Sequence, residues 1–178
     1  TTTYTPQGSI VQKEQLGYKS SYPYLLADKT QSDSRNGSYT ERYYYPFELS
    51  SIRGKAALTS EEQNGIQSLQ NGNMVSSIIE QDLVHANSSG NEKKIWSKLY
   101  GYKMLRSNLV VPTSVFLSKG TGAFVNKIKF GNYDTNGNPT TIIYNVVNTT
   151  TVTWNGMYPA SVKEGSQTTL YNYNPYVG

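Results

Sequence analysis

Residues Phe130 to Tyr144 constrain the fold more than any other part of the chain. They read Phe-Gly-Asn-Tyr-Asp-Thr-Asn-Gly-Asn-Pro-Thr-Thr-Ile-Ile-Tyr. A segment ending in an aromatic runs into Asn136-Gly137, a pair that tolerates positive φ, and a β-branched run returns. Such a stretch closes as a β-hairpin, turning at Asn136-Gly137 in a two-residue type I′ turn. Similar punctuation recurs. Residues 33–38 form a turn before the β-prone run 39–45, and residues 87–91 form a loop before the run 94–104. Further strands are expected at 25–29, 76–84, 109–117 (interrupted by Pro112), 123–133, 149–154, 160–163 and 168–173. Turn signals every ~8–12 residues predict a mainly β fold of antiparallel hairpins in a twisted sheet.

One segment breaks the pattern. Thr59-Ser60-Glu61-Glu62 fits a capping box, with Thr59 as N-cap and Glu62 at N3. Ile66 and Leu69 then share a face, and Asn71-Gly72 supplies a stop. A short helix is predicted over residues 60–71. Gly65 within it weakens the helix by about 1 kcal/mol relative to Ala.

The chain has 178 residues, enough for a single β-rich domain with a modest core. It carries 16 Tyr against 4 Phe and 2 Trp. Tyrosine buries a ring face while keeping its hydroxyl on a polar partner, which suits a sheet with one wet face. The absence of cysteine excludes disulfides, thiolate metal sites and a cysteine nucleophile. A net charge of +4 is explained by lysines on solvated strand faces, so no nucleic-acid partner is implied. No apolar run approaches the ~20 residues that span a bilayer, so no membrane insertion is expected. The chain opens Thr1-Thr2-Thr3 without a signal peptide, which suggests a piece of a longer protein.

Catalytic patterns are sparse. His85 is the single histidine, and neither a multi-histidine zinc site nor a triad with Asp82, Ser88 or Ser89 follows from it. Glu80 and Asp82, two apart on one strand, share a face and are the best carboxylate pair for acid–base chemistry; a solvated face explains them better. Glu61 and Glu62 are better explained by the helix cap. Asp134-Thr135-Asn136-Gly137-Asn138 resembles the start of a calcium loop, but its glycine and its twelfth residue, Asn145, are wrong for one. No metal, cofactor or enzymatic activity is expected.

Several segments together resemble one family. The Tyr133-Asp134 hairpin with Gly137, Asn138 and Tyr144 looks like the tyrosine–aspartate (YD) repeat of RHS-repeat proteins. Tyr43-Tyr44-Tyr45-Pro46, Asn73-Met74 with Ile79-Glu80, Asn155-Gly156-Met157-Tyr158-Pro159-Ala160, and Tyr171-Asn172-Tyr173-Asn174-Pro175 resemble segments of such proteins from Bacteroidetes-like bacteria, in the same order. The resemblance covers residues 36–178; residues 1–35 carry none. It implies an internal fragment of a large secreted or cell-surface protein whose hairpins wind into a hollow β-shell. In relatives the shell encloses a toxin released by aspartate-dependent self-cleavage; no such signature stands in this chain. The implied role is a non-catalytic structural module whose partner is the remainder of a parent chain. The alternative is a glycan-binding or adhesive module, with Trp96, Tyr100, Tyr102 and Trp154 stacking on sugar. Either way, the uncharged run 168–173 is expected to form an outer strand able to self-associate through its edge.

Overall fold

The computed structural model describes residues 2–5, 8–11, 13–34, 36–145 and 148–172. Strands β1 (Thr2–Thr5) and β2 (Gly8–Val11) pair with each other as a separate hairpin. The other eleven form one antiparallel sheet: β3 (Glu14–Tyr18), β4 (Leu26–Ser32), β5 (Ser38–Tyr44), β6 (Glu80–Ala86), β7 (Glu92–Arg106), β8 (Leu109–Lys119), β9 (Val125–Tyr133), β10 (Pro139–Tyr144), β11 (Asn148–Asn155), β12 (Tyr158–Glu164) and β13 (Gln167–Leu170). They lie in strict chain order, so each strand pairs with its neighbours in sequence. β3 and β13 are the outer strands. The expected all-β fold with antiparallel hairpins and one short helix is therefore observed.

One connection is long. Between β5 and β6 the chain leaves the sheet, makes two 3-10 turns (Pro46–Glu48 and Arg53–Ala57) and forms α1 (Ser60–Asn71). This excursion covers one face of β6, β7 and β8. Side chains alternate across a strand, so Glu80, Asp82 and Val84 of β6, Ser97 and Leu99 of β7, and Ser114, Phe116 and Ser118 of β8 all point under the cover and are buried. The apolar centre is Ile52, Leu58, Ile66, Ile79, Leu99 and Phe116. A second cluster, Leu25, Tyr45 and Val75 with Phe47 packed against it, fills the space over β4 and β5. Tyrosines in and around these clusters keep their hydroxyls on backbone: Tyr45 donates to the Leu26 carbonyl at 2.9 Å and Tyr102 to that of Ile78 at 3.1 Å.

The helix begins as its sequence predicts. The Thr59 hydroxyl accepts from the Glu62 amide at 3.2 Å, and the Glu62 carboxylate accepts from the Thr59 amide at 2.9 Å. Gly65 is more than a weak point. A Cβ there would overlap the Tyr102 carbonyl and come within 2.6 Å of the Lys103 Cα. The bare glycine lets the helix backbone lie directly on β7, and that approach buries Ile66 completely and Leu69 to 3% exposure.

Three expectations need correction. The strand placed at 76–84 begins at Glu80 and runs to Ala86, because Val75 and Ile79 are taken up by the two apolar clusters first. β8 is not interrupted at Pro112: a register shift between Gly101 and Tyr102 on β7 accommodates the proline opposite Tyr102. The hairpin at 130–144 exists, but its loop is five residues, 134–138, and Tyr133 pairs with Pro139. Of that loop only Gly137 has positive φ, at 86°. The two-residue type I′ turn is therefore absent. The run 168–173 supplies the outer strand through Leu170; Tyr173 lies outside the described residues.

Candidate functional site

The Tyr-Asp hairpin shows what each motif residue does. The Asp134 carboxylate accepts from the Asn136 amide at 2.8 Å, the Asn138 amide at 2.9 Å and the Asn138 side-chain amide at 2.9 Å. Burial works to raise this carboxyl, but those hydrogen bonds outweigh it and hold it below its ordinary value. Asp134 thus organises the loop that a type I′ turn would have closed with backbone alone. Tyr133 turns the other way and donates to the Pro112 carbonyl on β8, one strand over. Desolvation pushes its hydroxyl up to about 12. Gly137 brings the turn against Leu109 and Val111, which lie 3.1–3.3 Å from where a Cβ would stand. Asn138 also donates to the Gly156 carbonyl at 3.2 Å, linking this turn to the next. Tyr144 ends β10, exposed. Every one of these contacts is structural.

The carboxylate pair lies elsewhere than the sequence suggested. Glu80 and Asp82 do share a face, but it is the covered one, and they are only 1% and 2% exposed. Glu80 accepts from the Gly54 amide at 2.8 Å, and Asp82 pairs with Lys94. One oxygen of each, Glu80 Oε1 and Asp82 Oδ1, has no hydrogen-bond partner. Burial pushes the Glu80 carboxyl above its ordinary value. Beside them Arg53 spans the cover and the sheet, donating to Ser118 at 2.8 Å, Ser97 at 3.2 Å and the Gly122 carbonyl at 3.0 Å. On the other side of the helix contact, Glu62 accepts from Thr113 at 2.6 Å and from Ser114. Burial would raise the Glu62 carboxyl, yet the bonds from Ser114, Thr113 and Thr59 together hold it low. These groups pin the cover to the sheet. Glu62, Glu80 and Asp82 are buried beneath it and offer a substrate no access, whereas Arg53 lies at the exposed edge of the cover.

The four aromatics considered for glycan stacking do not converge. Trp96 and Tyr100 alternate with buried Ser97 and Leu99, so they lie on the uncovered face with Lys98 between them. Tyr102 follows the register shift and packs on the apolar centre, where desolvation pushes its hydroxyl up to about 12. Trp154 is four strands from β7, about 19 Å at ordinary strand spacing, and its indole donates to the Pro139 carbonyl at 2.9 Å. His85 Nε2 lies 3.0 Å from Asp33 and its ring packs on Tyr39, with Ser34 and Ser88 lining the same hollow.

A grouping that the sequence reading missed lies beside Trp96. Lys98, Leu117, Lys119, Val125 and Lys127 join it around an open hollow on the uncovered face of β7–β9. The signal was period-2 alternation on three consecutive strands, which becomes a cluster only once their register is known. Among the described residues no group of three or more His, Cys, Asp or Glu is arranged to hold a metal. No family model, curated protein or solved structure matches the chain.

Proposed function

We propose that this chain is a non-catalytic structural module of a secreted or cell-surface protein of the RHS-repeat kind, contributing hairpins to an extended β-shell. The observation that carries the reading is the division of labour in the Tyr133-Asp134 pair. Asp134 closes its own loop, and Tyr133 fastens that hairpin to β8. A dipeptide that does both is a sensible unit to repeat along a growing sheet, because each copy fixes one turn and one inter-strand contact. Strict sequential strand order supports the same reading. So does β13, which is exposed throughout, carries no charge and has nothing paired on its outer side among the described residues. Such an edge serves a sheet that continues, through another segment of a parent chain or a second copy.

Amide exchange tests this. In the isolated 178-residue chain the outward amides of Gln167–Leu170 should exchange rapidly. In the protein isolated from its native source they should be protected by a neighbouring strand. Equally fast exchange in both would count against the shell. The non-catalytic half has its own test: robust turnover of a glycan, peptide or nucleic acid, abolished by Glu80→Gln or His85→Ala, would overturn it.

A glycan-binding module is the second reading. The placement of half-buried Trp96 and Tyr100 on one uncovered face favours it. Saturable oligosaccharide binding lost on Trp96→Ala would establish it.

A further inference from the structure

The hollow beside Trp96 has a volume of about 640 Å³, within the range of small-ligand sites. Its floor is carbon: the Trp96 indole, Leu117 and Val125. Its charged groups are Lys98, Lys119 and Lys127, and none of the three has a carboxylate within ion-pair distance among the described residues. Lys98 Nζ stands 6.0 Å from the centre of the Trp96 ring. The lining includes one hydroxyl among the described residues, Ser118, and it is already engaged. It donates to the Gly122 carbonyl at 2.6 Å and accepts from Arg53.

That inventory selects the ligand. Lysine ammonium groups donate and cannot accept. A neutral glycan brings hydroxyl donors and a peptide brings N–H donors, and both need acceptors. The paired carbonyls of β7 and β8 are committed to the strand ladder, that of Lys119 accepts from the Gly122 amide, and that of Gly122 accepts from Ser118 and Arg53. Donors of either ligand turned toward the carbon floor would find few acceptors there. An apolar body with an anionic head needs only what the hollow supplies, which is carbon to lie on and ammonium groups to pair with. We infer that this hollow binds a small amphiphilic anion of the alkyl-carboxylate type, its chain across Trp96, Leu117 and Val125 and its carboxylate held by Lys98, Lys119 and Lys127. The inference stands whether or not the shell reading holds.

Trp96 is its own reporter, since the chain has only one other tryptophan. In a Trp154→Phe background, ω-bromododecanoate should quench Trp96 fluorescence saturably below its micelle concentration. In a Trp96→Phe background, Trp154 should stay unquenched. Replacing Lys98, Lys119 and Lys127 together by Gln should weaken binding about tenfold or more, and bromododecanol should bind the parent protein about tenfold more weakly than the acid. Should the triple variant fail to fold, judged by far-UV circular dichroism, salt dependence replaces it: affinity for the acid should fall as NaCl is raised. Absence of saturable quenching, equal quenching of both tryptophans, or equal affinity for acid and alcohol would overturn the proposal. So would displacement of the bromo-acid by an oligogalacturonate that binds more tightly, which would assign the hollow to a glycan.

Discussion

Replacing Gly65 by Ala sets two effects of opposite sign against each other. As an isolated helix residue, Ala is better than Gly by about 1 kcal/mol. In this helix the new methyl would overlap the Tyr102 carbonyl and lie 2.6 Å from the Lys103 Cα, where carbon pairs sit at about 3.5–4.0 Å. All the obstructing atoms are backbone of β7 at Tyr102 and Lys103, held by pairing with Pro112 and Val111 of β8, and none can rotate away as a side chain could. The helix must therefore rise by roughly 1 Å. A gap of that size forfeits a quarter to a half of the dispersion attraction across it, and it falls on Ile66 and Leu69, which meet the sheet through this contact. Overpacking of a core costs about 1–3 kcal/mol before that loss is added. The net expectation is destabilisation of about 2 kcal/mol, or a melting temperature lower by about 4–8 °C in a chain of this size. Urea unfolding followed by circular dichroism measures it. Gly131→Ala, whose Cβ would meet only the Thr141 Cβ at 3.8 Å, is the control and should change little. A Gly65→Ala midpoint equal to or above that of the parent, with unchanged slope, would refute the argument that close approach, rather than propensity, decides this position.

Glu62→Gln puts an NH₂ group opposite donors, because Thr113 and Ser114 address one oxygen and the Thr59 amide and hydroxyl the other. The expected cost at neutral pH is about 1.5–3 kcal/mol in urea unfolding. The Glu62 carboxyl titrates below its unfolded value, so its contribution is present above that value and is lost as pH falls through the folded one. The gap between parent and variant should therefore close as pH falls below the ordinary glutamate range. Glu80 has the opposite sign. Its folded value is raised, so the carboxyl favours folding when protonated and loses that advantage as pH rises through the folded value. Glu80→Gln keeps an acceptor for the Gly54 amide and should be neutral or stabilising by about 1 kcal/mol at neutral pH, with the difference fading on acidification. Asp134→Ala removes the acceptor for two loop amides, which should then exchange faster by NMR, while Asp134→Asn should retain much of their protection. Unchanged exchange in the Ala variant would show that backbone alone holds the loop.

What the sequence revealed was local. The helix at 60–71 was legible because its cap is written within four residues, and the hairpins because each turn lies between the strands it joins. Alternation placed Glu80 and Asp82 on one face, but could not say which face would be covered. The cover comes from residues 46–71, and its docking on β6–β8 is a tertiary fact. Gly65 looked like a weakness for the same reason, since the strand that needs its bareness begins at Glu92. The turn type departs from what Asn136-Gly137 alone dictates because the Asp134 side chain accepts from the Asn136 and Asn138 amides and closes a longer loop. The hollow required the register of three strands, which no single segment encodes.

Strict chain-order pairing has a kinetic meaning. Each strand after the first can dock on one already made, closing a short loop at small entropic cost, so the sheet can lengthen hairpin by hairpin as the polypeptide emerges from the ribosome. Only the β5–β6 excursion demands a long closure, and it also carries most of the buried apolar contacts. The middle of the molecule is then the slow and strongly held nucleus. The strands beyond β9 are a quasi-one-dimensional array whose outermost members fray first.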